Sequence, residues 1–219
     1  MDNNLITDLR TIRRLFPVID KNALYKLKID KESKMYISTR EIAEKISFII
    51  KNKLNEIGYN RLNVTITDAT SGVGGDTISF AKNFKNINAI ELDPLRCEYL
   101  INNIECYNLK NVSIYNENCL DIIYKLEEQD IVFIDPPWGG FGYKQIKNLR
   151  LTLENNEGIF KLEDICNNLL NEDITQCVPK IIILKLPCNY DVTYLMNKIK
   201  SDKIFIHDFK KMFIISIIR

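Results

Sequence analysis

Residues 131–143 read IVFIDPPWGGFGY: an apolar run, then an acid, two prolines, the only tryptophan of the chain and a glycine-rich turn. Asp135 can accept a hydrogen bond from an amino group, and the backbone carbonyl of Pro136 can accept a second. Two acceptors aimed at one exocyclic amine favour a more tetrahedral nitrogen, whose lone pair is then less delocalised into its ring. Pro136 and Pro137 carry no N–H and stiffen the loop, so both acceptors stay directed at one point. Trp138 offers a face for a stacked base, worth about 1–3 kcal/mol per base, and a cationic base is further attracted to the ring. The catalytic candidates are Asp135, Pro136 and Trp138, with Asp135 also a candidate cofactor contact and Pro137 and Trp138 against the substrate. The chemistry they suit is methyl transfer to a ring amine.

A second stretch, DATSGVGGDT at 68–77, sits between a strand pattern and a helix pattern, where a glycine-rich cofactor loop belongs. Gly72, Gly74 and Gly75 permit positive backbone angles and close approach of a ligand. Their spacing is not the dinucleotide GxGxxG, and the lysine of a phosphate-binding loop is missing. Asp68 ends the first strand, where it could face the cationic end of an amino-acid-bearing cofactor, and Ala69 begins the same turn. Asp93 ends the second strand one βα unit later, where a carboxylate can accept both hydroxyls of a ribose. An acid, a glycine loop and a ribose acid together suit S-adenosylmethionine better than NAD.

These residues need a scaffold, and the hydrophobic pattern supplies one from Leu62 onward. VTITDA (64–69), INAIELD (87–93), VSIYNE (112–117) and IVFID (131–135) read as strands. Between them, 76–84, 94–108 and 120–128 read as helices, the second opened by Pro94 in its first turn. Further on, LEDICNNLLNE (162–172) is an amphipathic helix and KIIILKLP (180–187) a strand covered on both faces. The tail 203–219 splits at Lys210-Lys211 into two strands of a hairpin. Alternation of this kind predicts an α/β fold, Rossmann-like, with a mostly parallel seven-stranded sheet and an antiparallel C-terminal hairpin strand. Ligands of such sheets bind outside the carboxyl ends of the strands, so both stretches are expected on one rim.

Before Leu62 the pattern is helical. TDLRTIRRLF (7–16) and the segment from Ser38 to Gly58 carry helix signals, the second capped by Ser38 or Thr39 with Ile42, Ile46 and Ile49 on one stripe. Residues 1–60 are expected as a helical extension packed on a domain of residues 61–219. The chain has 219 residues, 46% hydrophobic and 27% charged, which fits a globular protein. With 30 basic and 29 acidic side chains there is no bulk charge to favour a nucleic-acid coat or a membrane surface. No apolar run approaches the ~20 residues of a membrane span, and the first residues lack the apolar core of a secretion signal. An intracellular location follows as the expectation. Six scattered cysteines and one histidine give neither a zinc pattern nor a disulfide frame.

The chain resembles the trimethylguanosine synthase family, the RNA cap guanine-N2 methyltransferases, over roughly residues 35–219. MYISTREIAEKI is similar to the family's aromatic-Ser-x-Thr-Pro-Glu helix start, DATSGVGGDTISFA to its cofactor loop and AIELDP to its ribose-binding strand end. VFIDPPWGG resembles its catalytic loop, and LKLPCNYD its Leu-Pro-Arg-Asn segment. The resemblance implies methyl transfer from S-adenosylmethionine to the N2 amine of a 7-methylguanosine cap, by a monomer acting on capped RNA or a cap nucleotide, with no membrane partner. It implies that Asp68, Gly72 and Asp93 hold the cofactor, with Thr39 beside its amino-acid part and Asn118, Cys119 or Asp121 meeting the adenine. It also implies that Trp138 stacks on the methylated base and Asn189 shapes the cap pocket. Arg40 replaces the family's Pro, Asp135 stands where many members carry Ser, Phe141 replaces a Pro and Cys188 an Arg. Lys144, Lys147, Arg10, Arg13, Arg14 and Lys185 are candidates for the cap phosphates, each more readily read as a solvated surface charge. Two alternatives remain: an rRNA, tRNA or DNA amino-methyltransferase acting on guanine N2 or adenine N6, and a cap-binding module without turnover.

Overall fold

A computed structural model describes residues 4–219, apart from the side chain of Phe141. The chain divides into two compact units, one reaching Glu117 and one spanning Asn118–Arg219.

The first unit opens with α1 (Leu9–Leu15), α2 (Lys21–Leu24), α3 (Ser33–Tyr36) and α4 (Arg40–Glu56). Asp8 and Asp20 start α1 and α2 by accepting two first-turn backbone N–H groups each, which satisfies donors that a helix start leaves open. Then come β1 (Thr65–Asp68), α5 (Gly75–Ala81), β2 (Asn86–Ile90), α6 (Pro94–Cys106) and β3 (Val112–Tyr115). The strands lie in the order β3-β2-β1, all parallel. The buried stripe of α4 runs through Ala43, Ile46, Ile50 and Leu54, and Ile42 is only half-buried. The shift has a local cause: Ser79 of α5 donates its hydroxyl to the Ala43 carbonyl at 3.2 Å, a close approach that a small residue allows. One apolar cluster joins Ile12, Leu15, Phe16 and Ile29 of the leading segment to Val73, Ile78, Leu100 and Ile104. The leading segment therefore shares a core with α5, α6 and β2, against which β3 also packs.

The second unit contains α7 (Cys119–Ile122), β4 (Ile131–Ile134), a 3-10 turn at Gly140–Gln145, β5 (Thr152–Asn155), β6 (Gly158–Lys161), α8 (Leu162–Leu169), β7 (Ile181–Pro187), α9 (Val192–Lys198), β8 (Lys203–Asp208) and β9 (Met212–Ile218). β4 and β7 are parallel, and β9 runs antiparallel to both β7 and β8. Lys210 turns the hairpin with φ +66°, its N–H held by Asp208 Oδ1 at 2.6 Å. The sheet is seven-stranded and mostly parallel, with an antiparallel C-terminal hairpin.

Two elements differ from the sequence pattern. The helix expected over 120–128 stops at Ile122, because Gln129 Nε2 and the Gln176 N–H take the Ile123 and Tyr124 carbonyls that a longer helix would use. The antiparallel pair β5–β6, paired from Thr152↔Lys161 to Asn155↔Gly158, was not anticipated. Among the described residues no helix is long and apolar enough to cross a membrane.

Candidate active site

In the first unit the ends of β1 and β2 each present a buried carboxylate. Asp68, 1% exposed, accepts the Thr77 hydroxyl at 2.6 Å, a bond from α5 that fixes its direction. The carboxylate at the end of β2 is Glu91. Its Oε2 accepts the Gly72 N–H at 2.7 Å and its Oε1 the Asp93 N–H at 2.8 Å. Burial pushes its carboxyl above the usual range, while the two backbone donors pull the other way. Asp93, expected to end this strand and address a ribose, is an exposed N-cap: it accepts the Arg96 N–H at 2.9 Å, with Pro94 in the first turn of α6. β2 ends at Ile90, three residues earlier than the sequence pattern placed it.

The loop between β1 and α5 needs glycine at Gly72, φ +52°, and a Cβ built there meets nothing within 4 Å. Open space thus lies beside a backbone N–H that already holds a carboxylate. Ala69 is buried at the start of the loop, and Gly74, φ +97°, turns the chain into α5. Thr39, half-buried, precedes α4, and its neighbours dock on the loop: Ser38 donates to Asp76 Oδ2 at 2.6 Å, and Ile37 packs where a Cβ on Gly75 would stand. Two buried acids, a neutral loop and room beside Gly72 fit a ligand that offers hydroxyls and a positive charge.

In the second unit the parallel register pairs Ile134 with Leu184, which sets Asp135 beside Lys185 of β7. Lys185 Nζ donates to Asp135 Oδ2 at 2.5 Å and lies 5.8 Å from the centre of the Trp138 ring. Lys185 is 2% exposed, so the reading of this lysine as a phosphate contact or solvated charge is corrected: it is buried inside an apolar strand. Pro136 is buried and Pro137 exposed, which orients the loop, and Trp138 is half-buried. Tyr143 meets the Trp138 ring edge-on, 5.4 Å between centres at 75°. Asn189 Nδ2 donates to the Tyr143 carbonyl at 2.7 Å and to the Ile146 carbonyl at 2.8 Å. It therefore shapes the loop that carries Tyr143. Asn189 Oδ1 and the Trp138 indole N–H are buried without a hydrogen-bond partner.

Asn118 caps α7, accepting the Leu120 N–H at 3.0 Å and donating to the Glu154 carbonyl at 2.7 Å, while Cys119 behind it is buried. Asp121 accepts from Asn155 at 2.7 Å, so the unanticipated β5–β6 pair is tied to α7 from both sides. Lys144, Lys147, Arg10, Arg13 and Arg14 are exposed. Phe141, a departure from the family pattern, has its side chain outside the described residues. Glu91 escaped the sequence reading, although the Asp-Pro pair that follows it marks a helix start; Lys185, named there only as a phosphate contact or surface charge, was signalled as the one charge in a continuous apolar run.

The model of the RNA cap guanine-N2 methyltransferase family matches residues 63–215. An uncharacterized protein of Acanthamoeba polyphaga mimivirus is 40% identical over 95% of this chain and 86% of its own length. The trimethylguanosine synthase of Schizosaccharomyces pombe is 30% identical over 59% of this chain, and the matched part spans 53% of the yeast protein. Among solved structures, a 16S rRNA N2 methyltransferase of T. thermophilus, in complex with AdoMet and guanosine, shares the fold. Its TM-score is 0.56 at 12% identity, over 88% of this chain and 44% of that one. The match over 63–215 takes in the glycine loop, both buried strand-end acids and the Asp-Pro-Pro-Trp loop, and the chain belongs to the RNA cap guanine-N2 methyltransferase family.

Proposed function

We propose that this methyltransferase transfers a methyl group from S-adenosylmethionine to the exocyclic N2 amine of a 7-methylguanosine RNA cap, giving the dimethyl or trimethyl form. The observation that carries the reading is the family match spanning a loop in which Asp135, Pro136 and Trp138 are consecutive but for one proline. When bound, the cofactor would supply a methyl group on a cationic sulfur and leave as a neutral thioether.

The protein's part is to hold and aim. Asp68 faces the amino-acid end of the cofactor with Thr39, Glu91 takes the ribose hydroxyls, and Ala69, Gly72 and Gly74 let the loop approach. Trp138 stacks on the base. Asp135 and the Pro136 carbonyl accept from the amine, and the nitrogen gives up one proton to solvent once the new bond has formed. Positioning of this kind contributes about 7–11 kcal/mol without strong acid–base work. Capped RNA or the cap nucleotide is the partner assigned, met inside the cell by a monomer.

The test is release of S-adenosylhomocysteine with m7GTP, GTP and uncapped RNA as acceptors. Turnover of m7GTP with little of GTP supports the proposal. Equal turnover of both sinks cap recognition, turnover of polynucleotide alone would favour an rRNA- or tRNA-type enzyme, and binding of m7GTP without product would leave a cap-binding module.

A further inference from the structure

Lys185 is the single charged side chain of β7, and it is almost wholly removed from water. A buried ammonium is costly unless an opposite charge or a π face answers it. Here both do, and both belong to the loop proposed to take the base: Asp135 at 2.5 Å and the Trp138 ring at 5.8 Å. The group that accepts from the amine and the ring that stacks are thus tied to one cation. The Asp135 side chain keeps 17% of its exposure, so its charge is felt by a ligand at the loop, and so is the charge that cancels it.

We infer that Lys185 sets the charge selectivity of the base site: by neutralising Asp135, it leaves that carboxylate nearly indifferent to whether the bound base is cationic. The preference for a methylated, cationic guanine then rests on the stack with Trp138. An unmasked carboxylate accepting from the amine of the charged base would add about tenfold to that preference at an effective dielectric constant between protein and water. Lys185 is therefore a specificity residue, which acts through Asp135 rather than by touching the reacting atoms. This rests on the base-stacking reading proposed above.

Trp138 is the only tryptophan, so quenching of the protein's own fluorescence reports a stacked base directly. Dissociation constants for m7GTP and GTP would be measured by this quenching, at mildly acidic pH where the methylated base keeps its positive charge. The expected result is that Lys185→Met raises the m7GTP-over-GTP preference about tenfold, that Asp135→Asn lowers it, and that the double variant returns it to the starting value. Lys185→Arg, which keeps the charge, is expected to keep the ratio. An unchanged ratio in both single variants, or an equal loss of affinity for the two nucleotides, overturns the inference and leaves Lys185 a structural ion-pair partner. Should Lys185→Met fail to fold, Asp135→Asn reads the same cancellation from the other side. No quenching by either nucleotide in the unaltered protein overturns the stacking reading itself, and this inference with it.

Discussion

The two half-sites hold their carboxylates by opposite means. In the first unit Asp68 and Glu91 are held by a threonine hydroxyl and backbone N–H groups, uncharged donors that leave the negative charge in place. In the second unit Asp135 is answered by a full positive charge from Lys185. Both arrangements satisfy the oxygens, but they leave different fields behind. A carboxylate held by neutral donors still attracts a cation, which suits a sulfonium cofactor bearing an ammonium group. A carboxylate held by lysine keeps its geometry as an acceptor and loses most of its pull. The lesson is that the same functional group serves as an electrostatic anchor or as a directional acceptor according to what stands behind it.

The contrast can be broken most forcefully at Asp135. Asp135→Ala removes the acceptor and strands a buried ammonium, so product formation should fall by about 10²–10⁴-fold. Stability should drop by about 3 kcal/mol in denaturant titrations. Affinity for S-adenosylmethionine, measured calorimetrically, should stay within about twofold, and a parallel loss there would show that the half-sites are not separable.

A smaller effect is expected at Trp138. Trp138→Ala should weaken m7GTP binding about 10–100-fold by loss of the stack, while cofactor affinity is unchanged. The reverse pattern would exchange the roles of the two units.

The finest test lies within the first unit. Glu91→Gln should weaken S-adenosylmethionine about tenfold, the loss of a hydrogen bond to a charged group, whereas Asp93→Ala should cost about 1 kcal/mol of stability through its lost cap and leave the cofactor alone. Because burial raises the Glu91 carboxyl, it takes up its proton at a higher pH than an ordinary carboxylate. Cofactor affinity should therefore decline on acidification at a pH above the ordinary carboxylate range, and the glutamine variant should flatten that decline. A larger effect at Asp93 would restore it as the ribose acid.

What was legible in the sequence was local. Asp135, Pro136, Pro137 and Trp138 are contiguous, and the loop after β1 carries its glycines within four residues, so composition alone marks both. The alternation of strands and helices follows from periodicity, which is why the parallel order and the closing hairpin could be anticipated. Where sequence and structure part, the question is where an element ends and what its neighbour brings. Asp93 and Glu91 differ by two positions, and choosing between them requires knowing that Asp93 caps α6. That information was present in Pro94, but it competed with a plausible strand. Lys185 becomes visible only through the register that sets β4 against β7. The β5–β6 hairpin lacks a strong apolar face, with its strands largely exposed, so periodicity carries little signal there.

Asn189 has a consequence for the thermodynamics of recognition. One amide holds two carbonyls of the loop that seats Tyr143 against Trp138, while its own backbone carbonyl accepts the Leu149 N–H at 2.9 Å. The six-residue turn is thereby ordered when the chain folds, and little conformational entropy is left to lose when a base arrives. On the proposed reading, a base arriving here would dock onto a preformed floor, and less of the stacking would be spent on ordering the loop.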